Sequence, residues 1–295
     1  MIATQPVSTC RALLAAACLV AAQAAHAVDY ADGAVNNVDA PLLGGAGGAR
    51  VFDSTLGETT TLNLLPGAEV NGLEAFDSSI VNIFDGATVS TDLNARDTSE
   101  VHILGGTLLN ADVLDDAQLT VAGGTFTGSG GRAIGSFGNA RVLISDFTVS
   151  GSPTFSLLAS GSSRIGLLGG AVNGEISAGD DTLVEISGGN GINGINGVTA
   201  TSQGAITLFG SAFSLSGSGP VSLATPFVIG DETYNGQILT GTLADGSSIS
   251  AEIFNGLSGS QIVLAAAPVP LPAAGWLFLG AAAGLLGYGR ARRET

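Results

Sequence analysis

Short apolar pairs repeat along the central part of the chain. In each pair two apolar residues stand two positions apart, and the first members recur every 18 to 23 residues. Period two places both side chains on one side of a short strand, and the regular return lets successive strands stack in register. The pairs are Leu62/Leu64, Val81/Ile83, Val101/Ile103, Leu119/Val121, Val142/Ile144, Ile165/Leu167, Val184/Ile186 and Ile206/Leu208.

Two further columns keep the same register. Five residues after the first member of each pair stand Gly67, Gly86, Gly106, Gly124, Phe147, Gly170, Gly189 and Ser211. A column dominated by glycine predicts a corner with positive φ or a close approach of backbones. Four residues before the first members stand Glu58, Asp77, Asp97, Asp115, Gly138, Gly161, Asp180 and Ser202, which are acids or turn residues throughout.

These columns predict an all-β chain built as a parallel β-helix, or similar solenoid, with coils of about 20 residues. One coil would comprise a strand, a glycine corner, a second apolar patch such as Val89/Leu93 or Leu109/Val113, and a polar corner. The alternative is a β-sandwich, which would space its strands by about 8 to 12 residues and would need no glycine column.

The same pattern divides the chain into parts. Residues 28–57 are predicted to be an N-terminal cap or lead-in, and residues 58–219 the solenoid repeats. Beyond Pro220 the pattern loosens, and residues 220–264 are predicted to form a terminal β cap that covers the last coil. Residues 265–272 are predicted to be a linker.

Composition excludes one class of partner. The chain of 295 residues carries 25 acids against nine arginines and no lysine, which gives a net charge of −16. Such a chain repels nucleic acid, so no nucleic-acid partner is predicted, and cations are the favoured small partners. A hydrophobic fraction of 45% still leaves enough apolar surface for a folded core.

The N-terminus has the features of a signal peptide. Arg11 precedes an apolar run over residues 12–25, and Ala25 and Ala27 supply the small residues that signal peptidase accepts. Residues 1–27 are therefore predicted to form a signal helix that is removed, so that the mature chain begins at Val28 without cysteine. A lipoprotein acylated at Cys18 is the alternative, although Ala15 stands where leucine is preferred.

The C-terminus predicts a single transmembrane helix. Residues 273–289 are apolar, and at 1.5 Å per residue this length is near the lower limit for a bilayer core of roughly 30 Å. Arg290, Arg292 and Arg293 follow, and such arginines stay on the cytoplasmic side, so residues 290–295 are predicted to be a cytoplasmic tail. The alternative is a buried helix of a soluble protein, which leaves the arginines unexplained.

A pentapeptide stands directly before and at the start of this span: Val269, Pro270, Leu271, Pro272 and Ala273. Followed by a short Gly/Ala/Leu segment with Trp276 and an arginine cluster, it resembles the VPLPA-type branch of the PEP-CTERM sorting signals, over about 27 of the 295 residues. The two prolines keep the pentapeptide extended, as a protease substrate requires. The resemblance implies recognition by an exosortase-type membrane enzyme, cleavage near the motif, and transfer to the surface or extracellular matrix of a Gram-negative cell.

The body offers few groups for catalysis. His102 lies between Val101 and Ile103, so its side chain is expected to point into water. No nucleophile elbow is present. The acid pairs Asp115-Asp116 and Asp180-Asp181 place adjacent carboxylates on opposite faces of a strand, which does not make an acid/base couple. The sequence therefore does not predict an enzyme or a bound organic cofactor.

Calcium is the one metal ion that the sequence suggests. Glu58, Asp77, Asp97 and Asp115 would stack on four consecutive coils, where neighbouring carboxylates repel by about 1 kcal/mol in water-like surroundings. A divalent ion between coils would relieve this repulsion, since hard oxygen ligands suit calcium. The alternative is that each acid bonds its own backbone in a corner turn. Residues 188–193 are similar to one calcium-binding nonapeptide repeat, but asparagine replaces aspartate, and a loop is predicted there.

Taken together, these features predict a structural or adhesion protein of the cell envelope or extracellular matrix. Its expected partners are signal peptidase, the exosortase-type enzyme, the inner membrane transiently, and exopolysaccharide or other matrix. The alternative is a polysaccharide-binding or polysaccharide-cleaving β-helix. That function would require clustered acids and basic residues in one groove, for example around Arg141, Arg164 and Asp180.

Overall fold

The computed structural model describes residues 27–42, 48–128, 131–197, 204–230, 232–255 and 261–267. This part of the chain contains 24 strands and a short 3-10 helix at Glu232–Tyr234, and it contains no α-helix. The strands are β1 (Val28–Tyr30), β2 (Val35–Val38), β3 (Ala49–Val51), β4 (Thr61–Leu64), β5 (Glu69–Val70), β6 (Leu73–Ala75), β7 (Ile80–Ile83), β8 (Thr88–Ala95), β9 (Glu100–Ile103), β10 (Thr107–Val113), β11 (Gln118–Phe126), β12 (Arg132–Ser136), β13 (Arg141–Val149), β14 (Phe155–Ala159), β15 (Arg164–Leu167), β16 (Ala171–Ala178), β17 (Leu183–Ile186), β18 (Asn190–Gly197), β19 (Ala205–Leu215), β20 (Gly219–Pro220), β21 (Phe227–Ile229), β22 (Ile238–Leu243), β23 (Ser248–Asn255) and β24 (Gln261–Ala266).

The strands stack in parallel on three faces of a solenoid with about eight turns. Face 1 comprises β2, β4, β7, β9, β11, β13, β15, β17, β19 and β24. Face 2 is narrow and runs from β5 through parts of β8, β10, β11, β13, β16 and β18. Face 3 comprises β1, β3, β6, β8, β10, β12, β14, β16, β18 and β23. The predicted all-β solenoid is confirmed.

The eight apolar pairs form the buried side of face 1. Their first members are Cα partners from coil to coil, beginning with Leu62, Val81 and Val101. All sixteen side chains are at most 3% exposed. Because each side chain packs against the one directly above and below it, the pairs build a continuous core along the axis.

The glycine corner joins face 1 to face 2. Gly67, Gly86, Gly106, Gly124, Gly170 and Gly189 all have positive φ, as the column predicts. At Gly106 a Cβ atom would lie 2.7 Å from the carbonyl oxygen of Ala87 on the preceding coil. Glycine is therefore favoured in this column for two reasons: the backbone is left-handed, and successive corners stack too closely for a side chain.

The second apolar patch differs in one detail from the prediction. Val89, Leu93 and Val113 are buried, but Leu109 is only half-buried, and Leu108 takes the core position. Leu108 is the Cα partner of Val89 and a register shift separates it from Asn110, so Leu109 stands at the corner. A one-residue slip of this kind reverses which side chain faces the core.

The C-terminal part closes the last coil. Strands β23 and β24 continue faces 3 and 1 in parallel with β18 and β19. Strand β22 pairs antiparallel with both β19 and β23, and β21 pairs antiparallel with β24. Ala265 and Ala266, which the sequence suggested as linker, lie in β24. The solenoid thus extends into the region expected to be a separate cap.

Both predicted helices fall outside the described residues. These are the signal segment with its cleavage residues Ala25 and Ala27, of which only Ala27 is described, and the span at 273–289. Within the described part, no helix has the length and apolar character needed to cross a membrane.

Candidate functional site

The aspartate corner joins face 3 to the next strand of face 1, and it is a four-residue turn. In the coil that contains Phe76, the amide of Ser79 donates to the carbonyl of Phe76 at 3.1 Å. The second residue of this turn has positive φ on six described coils, where it is Asp77, Asp97, Asp115, Gly138, Gly161 and Asp180. Each of these positions holds aspartate or glycine, because both residues tolerate the left-handed conformation.

The corner carboxylates link neighbouring coils. The Oδ2 atom of Asp97 accepts from the backbone N–H of Asp77 at 3.1 Å, and Oδ2 of Asp115 accepts from that of Asp97 at 3.3 Å. Oδ2 of Asp180 accepts from the backbone N–H of Gly161 at 2.9 Å and from the hydroxyl of Ser160. These two bonds, the Ser160 bond foremost, lower the pKa of Asp180. Each carboxylate is thus held by an N–H of the preceding coil, which offsets the repulsion within the column.

Glu58 does not join this ladder. It lies in an exposed turn, where its N–H donates to the hydroxyl of Ser54 at 3.0 Å. Register places Asp53 in the first position of the acid column, because Val51 pairs with Ala75, and Oδ2 of Asp53 accepts from Ser78. The segment from Asp53 to Thr60 is longer than the equivalent segment from Asp77 to Ser79, so counting back four residues from the apolar pair reaches Glu58 instead of Asp53. Among the described residues, no three histidines, cysteines or acids gather in a group that could hold a metal ion. Calcium at Glu58, Asp77, Asp97 and Asp115 stays a prediction.

Asparagine side chains form a second ladder, on the outer side of face 1. The amide of Asn63 donates to Oδ1 of Asn37, and the amide of Asn82 donates to Oδ1 of Asn63, both at 2.8 Å. His102 is the next residue of this column and points outward, with its Nε2 atom 3.9 Å from Glu100 Oε2. The sequence could have predicted that Asn63 and Asn82 are neighbours, because each lies between the two members of its apolar pair.

Arg141 and Arg164 line one groove on face 1, together with Asp116, Gln118, Asn139 and Ser162. The two arginines are Cα partners on β13 and β15, and both are exposed. Asp180 does not line this groove, because its carboxylate is turned to the corner at Ser160 and Gly161. The structure therefore brings together two of the three residues that the sequence suggested.

Arg132, on face 3, forms a close ion pair with Asp112. Nε of Arg132 donates to Oδ1 of Asp112 at 2.6 Å, a second bond joins the same side chains, and the guanidinium lies 5.1 Å from the ring of Phe137. The hydrogen bonds to Asp112 raise the pKa of Arg132. A bidentate pair packed on an aromatic ring is a fixed structural element rather than a free binding group.

Glu175 is a partly buried acid of face 3. Burial raises its pKa, Asn196 opposes this by a hydrogen bond, and the charge of Glu252 adds to the rise. Its Oε1 atom is buried without a hydrogen-bond partner among the described residues. The side chain lies over Gly194, where a Cβ would come within 3.0 Å of Glu175 Cγ. The sequence alone does not predict the burial of Glu175, because that burial depends on its pairing with Gly194 of the next coil.

Residues 190–193 lie in β18 rather than in the loop that the sequence suggested, whereas Gly188 and Gly189 precede the strand. Asp245 Oδ2 accepts from the N–H of Gly189 at 3.2 Å, and the hydroxyl of Ser247 donates to the carbonyl of Gly189 at 3.1 Å. These contacts join the hairpin of β22 and β23 to the coil that contains Gly189.

The sorting residues Val269, Pro270, Leu271, Pro272 and Ala273 and the cationic residues Arg290, Arg292 and Arg293 lie outside the described residues. No protein-family model, curated protein or solved structure matches the chain.

Proposed function

We propose that the protein is an exported structural or adhesion rod of a Gram-negative cell surface or extracellular matrix. Signal peptidase removes residues 1–27, the helix at 273–289 holds the chain in the inner membrane, and an exosortase-type enzyme releases it near Val269 to Ala273. The proposed role is mechanical and adhesive, without catalysis.

The observation that carries this proposal is the match between the sorting segments and the folded body. Strand β1 begins at Val28, the first residue after the proposed cleavage site, and β24 ends at Ala266, three positions before Val269. Cleavage at both ends would leave the solenoid whole. Its outer surface carries hydroxyls, amides and carboxylates, which suits contact with a hydrated matrix.

The test is the intact mass of the native protein, recovered separately from the membrane and from the surface or medium. The expected surface species starts at Val28 and ends near Pro272, while the membrane species retains Arg293. A Pro270→Ala/Pro272→Ala variant should accumulate in the membrane, because a flexible pentapeptide is a poorer extended substrate. A surface species that retains Arg293 would contradict release by cleavage.

The second candidate function is polysaccharide binding, and the Arg141/Arg164 groove is the observation that favours it. Binding is favoured over cleavage, because the corner carboxylates are engaged by backbone N–H groups rather than directed into this groove. Mixing the purified protein with isolated matrix polysaccharide and sedimenting the mixture tests this candidate.

A further inference from the structure

Two like charges stand side by side on face 1 without compensation. Arg141 and Arg164 are register partners on adjacent parallel strands, which lie about 4.8 Å apart. Like charges directly opposite each other on a sheet destabilise it. Among the described residues, neither guanidinium has a carboxylate within 4.0 Å, whereas Arg50 pairs with Asp29 at 2.8 Å. In a chain with 25 acids, two adjacent unpaired arginines require a reason.

The outward column beside the two arginines carries no acid on their own coils. On the outer side of face 1 the next column reads Thr120, Leu143 and Gly166 over the same three coils, without a charge. Gln118 precedes Arg141 in the arginine column and adds an amide donor. These outward positions are therefore uncharged on the three coils, and the next acids in the two columns, Glu100 and Glu185, lie one coil beyond them on either side.

The groove also supplies neutral donors. The hydroxyl of Ser162 and the amide of Asn139 line it beside the guanidinium groups. Asp116 is the one acid in the lining, and its Oδ1 atom accepts from Asn139 Nδ2 at 3.2 Å, which reduces its demand on the arginines. Two planar guanidinium forks with hydroxyl and amide donors match a carboxylate and its neighbouring sugar hydroxyls.

We propose that this groove binds the carboxylate groups of an acidic polysaccharide. The inference rests on the second candidate function and specifies its ligand class. One exposed carboxylate between two solvated arginines binds weakly, so a polymer with repeated carboxylates is the fitting ligand, since rebinding multiplies the affinity. Strands β13 and β15 fix the spacing of the two arginine backbones before binding, which lowers the entropy cost.

The experiment measures binding of the full-length chain in non-ionic detergent to three probes: polygalacturonate, monomeric galacturonate and neutral dextran. Polygalacturonate is expected to bind in low salt, to weaken as salt rises, and to bind at least tenfold more tightly than the monomer. Dextran is expected not to bind. Arg141→Gln and Arg164→Gln should each weaken polymer binding about tenfold, since each removes a charge-assisted bidentate contact.

Arg50→Gln is the matched control, because it removes the same charge from an exposed arginine that Asp29 already pairs. It should change binding less than twofold. Arg141→Lys, which keeps the charge but loses the fork, should fall between wild type and Arg141→Gln. A melting temperature that is not lowered shows that the variants are folded.

Three results would overturn the proposal: no binding of polygalacturonate, equal losses in Arg50→Gln and Arg141→Gln, or a monomer that binds as tightly as the polymer. The last would identify a small-anion site. None of these results bears on the masses of the surface species, so failure here and failure of the proposed surface display are distinguishable.

Discussion

Substitution of one corner glycine tests whether the coils stack through their backbones. Gly106 has φ +85°, and an added Cβ would lie 2.7 Å from the carbonyl oxygen of Ala87 and 3.1 Å from that of Phe84. The Ala87 oxygen also accepts the N–H of Thr107 at 2.9 Å, which is a bond between coils. Gly106→Ala must therefore move backbone that holds two coils together.

Gly57 is the matched control, because it has φ +77° and no atom within 4 Å of an added Cβ. Both alanine variants meet the left-handed penalty, about 1–2 kcal/mol. Gly106→Ala adds an overpacking cost of about 1–3 kcal/mol. We expect a loss of about 3 kcal/mol for Gly106→Ala and about 1.5 kcal/mol for Gly57→Ala. For a domain of this size these losses correspond to Tm decreases of roughly 6–12 °C and roughly 3–6 °C.

Thermal and urea unfolding, followed by far-ultraviolet circular dichroism, measure both variants against the wild type. Gly106→Asn adds a finer comparison, because asparagine tolerates positive φ but still introduces the Cβ. It should remain clearly less stable than the wild type. Equal losses in Gly57→Ala and Gly106→Ala would refute the stacking argument, and would leave positive φ as the sole reason for the glycine.

Three further predictions concern the corner, the core and the ionisable groups. Asp97→Ala should lower the free energy of unfolding in urea by about 2 kcal/mol, because alanine cannot accept from the N–H of Asp77 and does not tolerate positive φ. Asp97→Asn keeps both properties and should be near neutral. An equally large loss in the asparagine variant, together with a Tm that rises with calcium and falls with chelator, would favour a metal in the column. Phe126→Ala should lower the free energy of unfolding by about 3–5 kcal/mol, because the ring is fully buried and its centroid lies 6.0 Å from that of Phe147. Phe126→Leu should recover most of this loss, and a loss below 1 kcal/mol in the alanine variant would contradict the packing. Burial raises the pKa of Glu175 above its unfolded value near 4.5, so its ionisation opposes folding and stability falls as pH rises from that value through the higher folded pKa. Glu175→Gln should remove this fall and raise the Tm at pH 7, and identical pH profiles of unfolding in both proteins would contradict it.

The sequence was sufficient for the solenoid because its signals are local. The apolar pairs such as Val101/Ile103 identify a strand on their own, and their return every 18 to 23 residues identifies the stacking without any knowledge of distant contacts. The glycine at position 106 follows for the same reason. Arg141 and Arg164 could also be placed side by side, since each directly precedes the first member of a pair.

The remaining features required the exact register between coils. Bonding of Asp97 to the N–H of Asp77, rather than to its own backbone, depends on how far one corner is offset from the next. Glu58 was misplaced, because inserted residues keep its spacing to Leu62 while moving it out of the corner. Leu109 and Leu108 exchanged roles at a bulge, which a periodic pattern cannot locate.

The position of the solenoid relative to the proposed sorting motif restricts which surfaces can act. Ala266 ends β24, and the two residues between it and Val269 span at most about 11 Å of extended chain. The C-terminal hairpins would then lie next to the membrane before release, and the first coil, with β1 and β2, would point away from it. The Arg141/Arg164 groove lies on a side face between these ends, where a polymer can reach it both before and after release. The proposed site on the side of the solenoid would allow one bound polysaccharide to contact several molecules in a row, which is the arrangement that the proposed adhesive role requires.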